Sequence, residues 1–300
     1  MKSNVLCTAG LLLLSATAMP ALSFAADHAS CASLTTMKLP DTTITSAEEV
    51  TGGSLAPRGE RPITGLPPFC RVAAVTKPAV KIEVWLPLEN WNGKFQGVGN
   101  GANAGSISYG AMVTALKRGY ATGSTDTGHE TENARDASWA LGHPELVVDF
   151  GYRAIHLMSD NSKKIVKQFY SQPAAHSYFV ACSTGGRQSM MEAQRFPEDY
   201  DGIIAGAPAF NWSRFQTGGH LWDAAALNLD PESYLPTAKL KALGAAVNAA
   251  CDKLDGVADG VINDPRKCDY DAKALQCPPG QDTADSAVSC PGGHCSALAS

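Results

Sequence analysis

The residues with the clearest chemical potential surround a serine at position 183. Ser183 follows a run of strand-forming residues (178–182) and precedes two glycines, Gly185 and Gly186. This order is typical of a nucleophile elbow, a strained strand-to-helix turn that exposes a serine hydroxyl for attack on a carbonyl carbon. The turn needs small residues two positions before and two after the serine, and Ala181 stands where the motif usually has glycine. An ordinary serine N-cap of a helix is the alternative interpretation of this segment.

A serine that accepts an acyl group also needs N–H donors for the negative oxygen of the tetrahedral intermediate. A helix that begins at Thr184 directs its free N–H groups and the positive end of its dipole toward the serine, so the Thr184 N–H is the first expected donor. A second glycine-rich turn, residues 97–106, follows a predicted strand. We expect Gly101 to supply the second donor, with Ala102 as the next choice and an ordinary flexible loop as the alternative.

Along the chain, short apolar runs alternate with longer helical stretches. This alternation predicts a mostly parallel sheet with helices on both faces, which would position the two turns. The predicted strands cover residues 80–86, 94–99, 120–124, 177–181 and 202–207, the last of them buried. The predicted helices cover residues 109–118, 148–170, 184–195 and 237–251. The strand signal stops after Phe210, which predicts an α/β body over residues 27–210 and an appendage over residues 211–300.

The first 26 residues have the pattern of a secretory signal peptide. Lys2 precedes a short apolar stretch, residues 5–18, and small residues then lead to a cleavage site near Ala25 or Ala26. The stretch is too short and wrongly flanked for a resident membrane helix. We therefore expect the mature protein to be secreted or periplasmic.

The composition of the 300-residue chain excludes several classes of protein. Hydrophobic residues make up 44% and charged residues 18%, which excludes disorder for most of the chain. The net charge is −5 and no Lys/Arg block occurs, which argues against a nucleic-acid partner. Beyond the leader, no run reaches the roughly 18 apolar residues that a membrane span needs.

Cysteine usage agrees with export to an oxidising compartment. The chain has nine cysteines, and once Cys7 is removed with the leader an even number remains. Such a set suggests up to four disulfides, but the spacing alone does not choose the pairing.

Several segments together resemble the tannase/feruloyl esterase family of secreted serine esterases. In chain order they are residues 91–95, 98–101, 124–129, 182–188, 195–197, 200–209 and 251–262. The resemblance implies an α/β-hydrolase body, the start of a lid domain after residue 210, and Ser183 as nucleophile. It also implies an acyl-enzyme mechanism on small aromatic esters, such as feruloyl or galloyl esters derived from plant polymers.

The resemblance further implies a structural calcium loop within residues 251–262. Carried over residue by residue, carboxylates would come from Asp252, Asp255 and Asp259, and backbone carbonyls from Val257 and Val261. Such hard oxygen donors suit Ca²⁺ rather than Zn²⁺. A solvated Asp-Gly turn is the alternative.

The family pattern also links the base to the nucleophile. It implies a cysteine directly before the serine, here Cys182, bonded to a cysteine directly after the catalytic histidine. The pair His294 and Cys295 resembles that segment, which makes His294 the candidate base. The disulfides would then be Cys182–Cys295, Cys31–Cys70, Cys251–Cys268 and Cys277–Cys290.

Members of the family are much longer than this chain, and their acid and histidine follow the lid. No aspartate of this chain is a convincing third member of the triad. We therefore expect a C-terminally truncated hydrolase body with impaired esterase activity. The alternative is a catalytically inactive, secreted calcium-binding fragment.

Overall fold

The computed structural model describes residues 28–57 and 61–275, and of Glu232 only the backbone. The predicted signal peptide lies outside these residues. Contacts divide the chain into two compact units, one up to Phe210 and one from Asn211. The division falls where the strand signal of the sequence stops.

The first unit is built on a mixed seven-stranded sheet with the order β1-β4-β5-β7-β6-β8-β9. Strands β7, β6, β8 and β9 run parallel, and β1, β4 and β5 add to them antiparallel. The short strands β2 and β3 form a separate hairpin. The strands are β1 Thr42–Val50, β2 Ser54–Leu55, β3 Ile63–Thr64, β4 Phe69–Thr76, β5 Val80–Pro87, β6 Lys94–Val98, β7 Ala121–Thr125, β8 His176–Cys182 and β9 Gly202–Gly206.

The helices of this unit follow the strands of the parallel half. A π-helical turn, Asp149–Arg153, joins α2 (Pro144–Val148) to α3 (Ala154–Tyr170). The helix predicted over residues 148–170 therefore begins earlier, at Pro144. The helices are α1 Tyr109–Lys117, α2 Pro144–Val148, α3 Ala154–Tyr170 and α4 Thr184–Arg195.

Helices cover both faces of the sheet, as predicted, because side chains alternate along each strand. On β5, Ile82 and Val84 belong to the core cluster that includes Ile155 and Met158 of α3. Trp85 belongs to the cluster on the opposite face, whose helical members are Met112 and Leu116 of α1. Five apolar side chains of α3 are fully buried: Ile155, Met158, Ile165, Val166 and Phe169.

Two expectations about the sheet need correction. The antiparallel strands β1 and β4 precede residue 80 and were not predicted. Strand β9 is not buried: the Ile204 side chain is 62% exposed, whereas Ile203 packs against the core. Within the described residues, β9 pairs only with β8, so one of its edges is unpaired.

The second unit is helical over its described part. Helix α7 has the bounds that the sequence predicts, and its last residue, Cys251, is bonded to Cys268 with a Cα–Cα distance of 5.4 Å. The first unit contains the Cys31–Cys70 disulfide, so both of these implied pairings are present. None of the helices within residues 28–57 and 61–275 has the length and apolar character needed to cross a bilayer. The helices are α5 Trp212–Phe215, α6 Trp222–Leu229 and α7 Thr237–Cys251.

A buried carboxyl lies on the inner side of α4. Glu192 is 0% exposed, and neither of its oxygens has a hydrogen-bond partner in the described structure. Burial, followed by the negative charge of Asp199, raises the pKa of Glu192 to about 9. Asp199 itself is paired with His156 and Lys163. Burial and the charge of Asp199 therefore favour a bound proton on Glu192 in the folded protein.

This proton gives the first prediction. In the unfolded chain Glu192 ionises near its ordinary pKa, so between about pH 5 and 9 the folded state binds the extra proton. Stability must then fall as the pH rises, by up to about 1.4 kcal/mol per pH unit. Glu192→Gln should remove this slope and make the protein more stable than wild type at pH 8 in urea denaturation.

The matched control is Glu198→Gln, because Glu198 is exposed on the following turn. It should leave the pH dependence of the unfolding free energy at the wild-type slope. Equal slopes for wild type and Glu192→Gln would show that the carboxyl is not held protonated.

Candidate active site

Ser183 occupies the turn between β8, which ends at Cys182, and α4, which begins at Thr184. Its backbone angles are φ 63° and ψ −121°, a conformation that residues other than glycine rarely adopt and that is a form of stored strain. The residue is exposed, and its side chain makes no capping hydrogen bond to α4. The N-cap interpretation is therefore wrong, and the hydroxyl is presented to solvent on a sharp turn.

Small residues allow this turn, as the sequence predicts. A Cβ atom added to Gly185 would lie 2.6 Å from Ala181 Cβ and 3.1 Å from the Asn100 carbonyl oxygen. A Cβ atom at Gly99 would lie 2.7 Å from the same Ala181 methyl group. The methyl group of Ala181 thus fills the remaining space between β8, α4 and the glycine-rich turn.

Hydrogen bonds hold the backbone of Ser183 in place. Its N–H donates to the Gly206 carbonyl at 3.0 Å, and its own carbonyl accepts from Arg187 and Ala209 at 3.1 Å each. These bonds connect the turn to α4 and to the segment after β9. The strained conformation is therefore fixed from both sides.

The glycine loop, residues 99–106, lies against the beginning of α4. The Asn100 carbonyl accepts from the Gly185 N–H at 2.8 Å, and the Thr184 hydroxyl donates to the Ala102 carbonyl. Thr184 is the first residue of α4, so its N–H lies outside the helical hydrogen-bond ladder. Gly101, between the two loop carbonyls, is exposed, and a Cβ atom there would meet nothing within 4 Å. The structure thus brings Gly101 and Thr184, the two expected donors, into neighbouring segments.

The sequence alone predicts no role for Asn100 and Gln188, although both lie in the segments that carry the family resemblance. Asn100 is 5% exposed and Gln188 is 1% exposed, and they are joined by two hydrogen bonds of 3.0 Å. In the sequence, a role for these residues is indicated only by their positions. Asn100 directly precedes Gly101, and Gln188 lies about one turn after Ser183. The two residues are 88 positions apart, so local patterns do not predict their contact.

The segment after β7 supports the outer part of the glycine loop. His129 donates its Nε2 hydrogen to the Asn103 carbonyl at 2.9 Å, and its ring stacks on Trp139. Burial lowers the pKa of His129, so the ring is neutral at pH 7. Asp126 accepts from the Gly128 N–H at 2.8 Å, and burial raises the pKa of its carboxyl to about 7. The Asp126 backbone carbonyl also accepts from the Gly105 N–H of the loop at 3.2 Å, so both His129 and Asp126 contact the loop.

The candidate base lies outside the described residues, together with Cys277, Cys290 and Cys295. The Cys182–Cys295 and Cys277–Cys290 pairings and the position of His294 therefore stay predictions. Cys182 is exposed at the end of β8, directly before Ser183.

The candidate calcium loop has a regular backbone arrangement. Asp252 accepts from the Gly260 N–H at 2.8 Å, which brings the two ends of the loop together. Asp255 and Asp259 accept from N–H groups two residues ahead, those of Val257 and Val261. The oxygen donors suit Ca²⁺ chemically. In the described part of the chain, no three His, Cys, Asp or Glu side chains lie together as a preformed metal site.

Comparison with known proteins gives a consistent result. The sequence model of the family described as tannase and feruloyl esterase matches residues 63–292. An uncharacterized esterase from Xanthomonas campestris is 41% identical over 85% of this chain and 45% of its own length. A probable feruloyl esterase B-1 from Aspergillus oryzae is 37% identical over 73% of this chain and 40% of its own. The chain spans less than half the length of these curated relatives.

Solved structures show the same similarity. The crystal structure of feruloyl esterase B from Aspergillus oryzae superposes with a TM-score of 0.73 at 35% identity, over 84% of this chain and 51% of that one. Tannin acyl hydrolase from Aspergillus niger gives a TM-score of 0.60 at 26% identity, over 79% of this chain and 46% of the other. These similarities confirm the α/β-hydrolase-type fold.

The packing of the elbow gives the second prediction. Gly185→Ala should destabilise the first unit by about 1–3 kcal/mol in urea denaturation, because the new methyl group would overlap Ala181 and the Asn100 carbonyl. Gly110 occupies the same second position of α1 in open space. Gly110→Ala is therefore the control and should be neutral or slightly stabilising. Equal effects of the two substitutions would contradict the close contact at Gly185.

Proposed function

The chain belongs to the tannase and feruloyl esterase family, and from this premise we propose that it is a carboxylic ester hydrolase with Ser183 as its nucleophile. The single observation that carries the proposal is the exposed, uncapped hydroxyl at a positive φ, directly before the N-terminus of α4. This arrangement directs an oxygen nucleophile away from the sheet and places N–H donors beside it.

The proposed mechanism is acyl transfer in two steps. Ser183 Oγ attacks the ester carbonyl carbon while His294 accepts the hydroxyl proton. The N–H groups of Gly101 and Thr184 stabilise the oxyanion, and collapse of the intermediate expels the alcohol, which takes the proton from His294. Water then attacks the acyl-enzyme by the same route and releases the acid.

The proposed substrates are small esters of aromatic acids, such as feruloyl or galloyl esters derived from plant polymers. Support comes from the relatives, which are named as feruloyl esterases and as tannin acyl hydrolase. We also propose a secreted or periplasmic location, because disulfides such as Cys31–Cys70 persist mainly in oxidising compartments.

The third prediction concerns turnover. The 300-residue chain should hydrolyse p-nitrophenyl acetate and methyl ferulate faster than its Ser183→Ala variant, because removal of the nucleophile removes the acyl-enzyme route. His294→Ala should lower the rate by a similar factor, since the serine hydroxyl is a weak nucleophile without its base. Initial rates in a spectrophotometric assay provide the measurement.

Ser33→Ala is a matched control, because Ser33 is an exposed serine of the same unit remote in sequence from the elbow. It should keep the wild-type rate. Identical rates for wild type and Ser183→Ala would refute the hydrolase proposal and favour a non-catalytic, calcium-binding role. A wild-type rate in His294→Ala would refute only the assignment of the base.

We further propose that the loop closed by Cys251–Cys268 binds a structural Ca²⁺. Support comes from the oxygen donors of Asp252, Asp255 and Asp259 and from the bond between Asp252 and the Gly260 N–H. The carbonyls of Val257 and Val261 complete the proposed ligand set. Binding at this loop would stabilise the folded second unit and supply no catalytic step.

The fourth prediction follows from linkage between binding and folding. Adding CaCl₂ to protein freed of metal by EDTA should raise the melting temperature, with a gain of about 2.7 kcal/mol at a concentration one hundred times the Kd. Asp255→Asn should weaken this response, whereas Asp223→Asn, which changes an exposed aspartate of α6, should not. The absence of any calcium-dependent shift in the wild type would refute the site.

A further inference from the structure

We propose that Asn100 and Gln188 form a positioning pair that fixes the direction of the Gly101 N–H relative to Ser183. This inference rests on the proposed hydrolase function, because it assigns how one oxyanion donor is held. Neither residue needs to touch the substrate, so both are positioning residues.

The side chain of Asn100 anchors the glycine loop to the sheet. Its Nδ2 donates to the Thr125 carbonyl at 2.8 Å, at the end of β7, and to the Ser106 carbonyl at 2.9 Å, at the far end of the loop. Its Oδ1 accepts from Gln188 Nε2 at 3.0 Å. Both amide hydrogens and the amide oxygen are therefore used, in a site that is almost closed to water. Satisfied buried networks of this kind make a local conformation specific and rigid.

The backbone of Asn100 anchors the same loop to α4. Its N–H donates to Gln188 Oε1 at 3.0 Å, and its carbonyl accepts from the Gly185 N–H at 2.8 Å. The Gly101 N–H belongs to the same peptide unit as that carbonyl. Because a trans peptide is planar, fixing the Asn100 carbonyl fixes the Gly101 N–H in the opposite direction.

Gln188 connects the glycine loop to the helix that follows Ser183. It lies on α4 about one turn after Ser183 and contacts both the backbone and the side chain of Asn100. The loop that carries the Gly101 N–H and the turn that carries Ser183 are thus both held by the same helix, α4. Neither side chain of the pair is charged, so neither of them titrates.

The fifth prediction uses Gln188→Met, which keeps the approximate length of the side chain and removes both bonds to Asn100. Loss of one oxyanion donor costs about 10²–10³-fold in rate, and a misdirected donor should cost about 10–100-fold. We expect this fall in kcat with KM unchanged within about twofold, because the oxyanion forms only after binding. The affinity for a phenylboronic acid, which forms a tetrahedral adduct with a serine, should weaken, while that for the product acid should not.

Gln194→Met is the matched control, because Gln194 is an exposed glutamine of the same helix. It should match wild type in kcat, boronate affinity and melting temperature. Gln188→Glu keeps the acceptor for the Asn100 N–H and, because burial holds the carboxyl protonated, also a donor for Asn100 Oδ1, so it should restore most of the kcat lost in Gln188→Met.

The outcomes separate this inference from the proposed function. A wild-type rate equal to that of Ser183→Ala means that the hydrolase proposal has failed, and the positioning role fails with it. An active wild type together with wild-type kcat in folded Gln188→Met overturns the positioning role alone. Should Gln188→Met not fold, wild-type kcat and boronate affinity in Asn100→Ala, which removes the same side-chain bond from the loop side, overturn it instead.

Discussion

The arrangement of the candidate site depends on the close approach of β8 and α4 at Ser183. A chain that leaves a strand and enters a helix within one residue must adopt an unfavourable backbone conformation, here with φ 63°. The approach is possible only because Ala181 and Gly185 have almost no side chain between them. The exposure of the hydroxyl and the free N–H at Thr184 both follow from this packing. The strain at one residue thus exposes a hydroxyl and a backbone N–H side by side.

The rest of the first unit supplies the rigidity that this strain requires. Strand β8 lies between β6 and β9, and the buried side chains of α3 and α1 hold the sheet from its two faces. The glycine loop follows β6 directly and returns to α4 through the Asn100 carbonyl. The support of the loop therefore comes from backbone and amide groups, with the neutral ring of His129 at its outer end.

Local sequence signals predicted the parts of the structure that depend on local physics. The sequence pattern around Ser183 predicted α4 with its observed bounds, because small residues and the signal for a helix start lie next to this serine. The exposure of Ile204 was not predictable, since an apolar run has the same appearance at the centre and at the edge of a sheet. The contact of Asn100 with Gln188 also escaped prediction, because only the fold brings these distant amides together.

Covalent labelling can identify whether Ser183 is the nucleophile, as we propose. A fluorophosphonate ester reacts with an activated serine hydroxyl, and mass spectrometry of the digested protein identifies the modified residue. We expect a phosphonyl group on Ser183 in the folded protein, none after unfolding in urea, and none on the buried Ser189 of α4. Labelling at another serine, or no labelling of the folded chain above the level of the unfolded one, would contradict it.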